Sequence, residues 1–149
     1  MNVAGLRSPY VRTGGLLYFA RMLDKIRLHA AGGLPADYQP NLGKGFDARM
    51  LTFLGCGYEA LRVRVLEGGG EPELIEWCFE RGVRRSAEEI HLFNTFLRKF
   101  GWNDEATLTL RRRLAEGGFA SRSDIQTIFD YIDLDEGRDP AGRATNPWE

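Results

Sequence analysis

The residues with the most chemical potential lie between Arg21 and Asp47. On a helical wheel at about 100° per residue, Leu16, Phe19, Ala20, Leu23, Ile26 and Ala30 form one apolar stripe. Arg27 falls inside that stripe, and Asp24 stands at its edge, three residues earlier, where helical neighbours can meet. A guanidinium in an apolar face is costly unless paired. The spacing therefore predicts an Asp24–Arg27 pair, which either ties the packing together or forms the floor of an anion-binding pocket.

The loop Asn41-Leu42-Gly43-Lys44-Gly45 precedes a helix start and offers backbone N–H groups, a cation and the positive end of a helix dipole. It is not a Walker A loop: the first glycine of that motif would stand at Tyr38, and Gly45 replaces its Ser or Thr. Asp47 would repel an anion there unless it acts only as the cap of the next helix. Asp24, Arg27, Tyr38, Asn41 and Lys44 are thus the candidate ligand-binding residues. Arg27 and Lys44 supply charge, Tyr38 and Asn41 shape and hydrogen bonds, and Asp24 orients Arg27.

Other motifs carry less. Glu88-x-x-His91 has the spacing of a di-iron carboxylate half-site, but it occurs once and His91 falls on a polar helix face. Cys56 and Cys78 lack metal-type spacing and read as buried thiols. Asn94, at the border of an apolar face, either orients a ligand or satisfies a loop carbonyl. No metal and no cofactor is expected.

At 149 residues the chain can bury roughly 70% of its unfolded surface as one domain. With Lys plus Arg at 20 and Asp plus Glu at 21, bulk charge gives no reason for nucleic-acid or anionic-membrane binding. Met1 to Arg12 lack a signal-peptide pattern, and no run of 18 apolar residues occurs, so a cytoplasmic protein is expected.

The positioning elements are helical. An extended arm over 1–13 leads through Gly14-Gly15 into the first helix, which Gly32-Gly33 and Pro35 stop near Ala31. Asp47 caps a second helix to Leu54, Tyr58 to Glu67 make a third, and Pro72 opens a fourth that Gly82 ends. Ser86-x-x-Glu89 is a capping box ahead of Ile90, Phe93, Phe96, Leu97 and Phe100. Asn103 starts a sixth helix with Arg111-Arg112-Arg113 near its negative end, and Ser123 a last one. Residues 137–149 have tail composition. No β-alternation survives, so the fold class is all-α: a compact single domain, 1–136, of about six or seven helices.

Gly14-Gly15-Leu16, Asp24-Lys25-Ile26-Arg27, the Asn41 to Asp47 loop, Phe93-Asn94 and Gly101-Trp102 together resemble the domain-of-unknown-function family five-zero-six-nine, over Leu6 to about Leu134. The resemblance implies a small stand-alone bacterial protein and carries no catalytic residues. Phe93 is a departure, because the resemblance implies a preference for tryptophan at that position. Three function classes remain. The first is a non-enzymatic binding or regulatory module for a small anionic ligand. The second is an enzyme on an anionic metabolite, with Asp24 as general base, although pairing with Arg27 weakens a base. The third is an interaction protein presenting Trp77, Trp102 or Trp148. A homo-oligomer stays open.

Overall fold

Gly14 and Gly15 both adopt left-handed backbone, φ 59° and 82°, and fold the chain into a tight hairpin. The computed structural model describes residues 2–140, so most of the expected tail, Trp148 included, lies outside the described residues. In the hairpin, β1 (Arg12–Thr13) pairs antiparallel with β2 (Leu16–Leu17), in the register Arg12 to Leu17 and Thr13 to Leu16. The sequence pattern predicts no strand here and places Leu16 on the first helix; two-residue strands are too short to show alternation.

Seven α-helices are present among the described residues: α1 (Phe19–Ala30), α2 (Phe46–Leu54), α3 (Tyr58–Leu66), α4 (Glu71–Arg81), α5 (Ala87–Lys99), α6 (Thr107–Glu116) and α7 (Ile128–Asp135). The fold is all-α, with a 3-10 turn, Ala36–Asn41, between α1 and α2. Helix ends follow the punctuation: Gly32 and Gly55 are left-handed stops at φ 77° and 73°, and Pro72 lies in the first turn of α4. The capping box closes as expected, with Ser86 N donating to Glu89 Oε1 (3.0 Å) and Glu89 N to Ser86 Oγ (3.1 Å). Among the described residues, no helix is long and apolar enough to cross a membrane.

Three starts differ from expectation. Gly45, not Asp47, is the N-cap of α2, which places Asp47 inside the first turn. The Asp104 carboxylate closes a turn by accepting from Gly101 N and Ala106 N, so α6 begins at Thr107 rather than Asn103. Thr127 caps α7 by accepting from Asp130 N (3.2 Å), four residues past Ser123.

The chain divides into two compact units, Val3–Asn94 and one that begins at Thr95. In the first, α1 packs on α3 and on β1, and α3 on α4. Phe53 stacks on Phe93 at 4.1 Å between ring centroids, with planes 5° apart. In the second, α6 packs on α7, and Ile128 N donates to Phe100 O.

Candidate functional site

Eight consecutive residues of α1, Phe19 to Ile26, are buried, so the first two turns are enclosed on all sides instead of showing one apolar stripe. The polar side chains in that stretch must all find partners. Arg21 donates to Arg7 O (3.1 Å). Asp24 accepts from Arg7 through the backbone N (3.0 Å), Nε (2.9 Å) and Nη2 (3.1 Å). Lys25 reaches the buried Asp47 carboxylate at 2.7 Å.

The arm is thereby tied to α1 and to the start of α4. Arg7 also pairs with Glu71, which accepts from Thr13 Oγ1 at 3.0 Å. The hydrogen bond from Arg7 holds the Glu71 carboxyl below its ordinary pKa against partial burial, and Thr13 and the charges of Arg7 and Arg27 push the same way. The pKa of Arg7 is raised by its hydrogen bonds to Asp24 and Glu71.

On another side of α1 lies a second cluster. Tyr18 stands just before the helix in left-handed backbone, φ 71°, although it is not glycine and is only 3% exposed. Its hydroxyl donates to Asp47 Oδ1 at 2.6 Å and accepts from Lys25 Nζ at 3.0 Å. Tyr18 and Lys25 are seven residues apart, about two turns, hence on one side of the helix. Asp47 Oδ2 accepts from Gly43 N at 3.0 Å, so the same carboxylate braces the Gly-Lys-Gly loop. Gly43 is left-handed at φ 74°, and a Cβ there would lie 3.1 Å from the Tyr58 ring. The Tyr58 hydroxyl is buried with no hydrogen-bond partner among the described residues. Burial raises the pKa of Tyr58, and the Asp47 charge raises it further.

The hairpin that sets Tyr18 is itself pinned. Asn94, 2% exposed, accepts from Leu17 N (3.0 Å) and donates to Gly15 O (2.8 Å). Of its two expected roles it fills the loop-binding one.

The five residues proposed from sequence do not gather at one point. Asp24 is held by Arg7 rather than Arg27, and Arg27 is half-buried on the Glu71 side of α1. It lies roughly 200° around the helix from Lys25. Tyr38 is half-buried in the 3-10 turn, while Asn41 and Lys44 are exposed, with Lys44 N donating to Asn41 O (3.0 Å). Lys25, not Arg27, is therefore the α1 side chain that touches the residue bracing the loop. Tyr18, Lys25 and Tyr58 are not among the residues that the sequence singles out. The seven-residue spacing of Tyr18 and Lys25 was a usable signal for the first two; Tyr58 left none.

Elsewhere, Cys56 and Cys78 are unbridged. Cys56 Sγ donates to Cys78 O at 3.3 Å, and burial pushes Cys78 up to about 12. No group of three or more His, Cys, Asp or Glu among the described residues is arranged to hold a metal ion.

The model of the family described as Domain of unknown function (DUF5069) matches residues 3–138, nearly the whole chain. This protein belongs to that family. The match spans both clusters on α1 and both compact units. None of the curated proteins compared with the chain matches it.

Proposed function

We propose that this protein is a non-enzymatic binding module for a small anionic ligand, taken up at the 41–45 loop and the first turn of α2. The observation that carries the reading is the neutralisation of Asp47. Its carboxylate, 0% exposed, is paired with Lys25 and accepts from Tyr18 and from the loop's own Gly43 N–H. Repulsion of an anion by Asp47 is thereby offset, and the exposed Lys44 ammonium supplies positive charge beside it. The first turn of α2 has no side-chain cap, and although Asp47 N donates to Lys44 O (3.1 Å), the helix dipole there favours an anion. Tyr38 precedes the loop and Asn41 opens it, and the Tyr58 ring, whose hydroxyl is an unused donor, packs by its Cγ and Cδ edge against Gly43. Asp24 instead binds the arm through Arg7, and Arg27 acts on Glu71 through its charge.

The enzyme reading has less support, because all three of the Arg7 donors to Asp24 occupy the carboxylate that would serve as base. The test is a thermal-shift screen against inorganic phosphate, phosphorylated metabolites, nucleotides and carboxylates. Binding to the folded state raises stability by about 2.7 kcal/mol at a hundred times Kd. A ligand that shifts the melting temperature of the wild type but not of Lys44→Ala supports the reading. No shift across the panel, or a shift unchanged in Lys44→Ala, overturns it.

A further inference from the structure

In the unit that begins at Thr95, a cleft of about 500 Å³ lies among the turn at Gly101–Asn103, helix α6 and the segment 120–126. The volume falls in the range of small-molecule sites, about 300–1,000 Å³. It shares no residue with the loop site. Leu110, Leu114 and Ile125 provide a buried apolar lining, and Trp102 is 52% exposed at the cleft.

The wall that carries Trp102 is held by a closed set of hydrogen bonds. Asp104 Oδ2 accepts from Gly101 N (2.9 Å) and Oδ1 from Ala106 N (2.9 Å). Thr107 Oγ1 donates to Gly101 O (2.8 Å) and accepts from Asp104 N (3.0 Å). Asn103 sits in left-handed backbone at φ 48° within this turn. An exposed indole on so fixed a turn is preorganised for stacking.

The charges are unequal. Arg122 is engaged by Asp124 and Asp139 at 2.8 Å each, and the hydrogen bonds to those carboxylates raise its pKa. Arg111, on α6, is exposed, and its guanidinium has no hydrogen bond or ion pair among the described residues. No carboxylate is among the lining residues.

We propose that this cleft binds a small molecule consisting of a flat ring bearing one anionic group. The ring lies against Trp102 and the anion on Arg111, with Asn103 and Gln126 hydrogen-bonding to ring substituents. An aromatic carboxylate and a nucleoside monophosphate share this chemistry, and the experiment separates them.

The full chain, labelled with ¹⁵N, is titrated with indole-3-acetate and with adenosine 5′-monophosphate. The uncharged indole-3-acetamide and adenosine serve as controls. The Trp102 indole N–H and the Gln126 side-chain amide are followed. At least one anionic probe should shift both resonances saturably, tenfold or more tighter than its uncharged counterpart. Arg111→Met should weaken that binding at least tenfold, Arg111→Lys should restore part of it, and Lys44→Ala should leave it unchanged. A response to the carboxylate alone or the monophosphate alone identifies the anion class; a response to both means that ring and charge are sufficient. Silence at Trp102 with both anionic probes overturns the proposal, as does equal binding of the uncharged controls. Loss in Lys44→Ala would assign the response to the loop site instead and also overturn it. The comparison of charged and uncharged probes on the wild type decides the matter even if an Arg111 variant fails to fold.

Discussion

Lys25→Met removes one member of a buried pair whose other member cannot reach water. Asp47 is 0% exposed, and Lys25 Nζ lies 2.7 Å from Oδ1. The variant leaves an anion held by two neutral donors, Tyr18 Oη at 2.6 Å and Gly43 N at 3.0 Å. Breaking a buried pair in this way costs about 3–5 kcal/mol, against about 0–1 kcal/mol for an exposed pair. An unfolding entropy of about 2.1 cal/mol/K per residue over 149 residues turns that cost into a fall in melting temperature of about 10 to 15 °C. The assay is calorimetry or a urea titration of wild type, Lys25→Met, Asp47→Leu and the double variant. Removing both charges should be less damaging than removing either one, with a coupling of about 2 kcal/mol or more. Lys25→Met should also weaken anion binding at the loop, since Asp47 is then uncompensated. A loss below about 1 kcal/mol for Lys25→Met, or a double variant that is simply additive, would refute the assignment of Lys25 as the charge partner of Asp47.

Asn94→Ala should cost about 2–3 kcal/mol in a urea titration, because it strands the buried Leu17 N–H and the Gly15 carbonyl together. Glu71→Gln should lower the melting temperature at pH 7. Its carboxyl is held below the ordinary 4.5 chiefly by the hydrogen bond from Arg7, so its contribution is present above that value and lost as pH falls through the lower folded one. The gap between wild type and variant should therefore close below about pH 4.5, and a gap constant with pH would contradict this. Gly82→Ala should destabilise by about 3 kcal/mol, since its Cβ would lie 2.0 Å from Leu54 O. Cys56 and Cys78 should alkylate slowly at pH 7 in the native protein and quickly in urea, because burial raises both thiols.

Much of the helical framework was legible because its signals are local. The capping box before α5, the glycine stops after α1 and α2, and Pro72 at the start of α4 each act within one turn of chain. Two of the misplaced helix starts, those of α2 and α6, lie where a side chain has competing local options. Asp47 can cap a helix or brace the preceding loop, and Asp104 can open a helix or close a turn; both take the second course. The two-residue strands were invisible for want of length, yet Gly14-Gly15 marked their turn.

The candidate site depended on what α1 packs against. A hydrophobic wheel assumes one buried side, and on that assumption Arg27 is the anomalous residue. The tertiary structure buries Phe19 to Ile26 all round and leaves Arg27 only half-buried, so the anomalous residues become Arg21, Asp24 and Lys25. Their partners, Arg7 and Asp47, are 14 to 22 positions away in the chain, and no periodicity connects them. By itself the sequence determined the all-α class, the family and most helix boundaries, because those rest on composition and on interactions within a few residues. Only the tertiary structure decided which charges are paired, which hydroxyl is left without a partner and where the clefts open. Those properties depend on burial from every direction at once, and burial is set by distant segments.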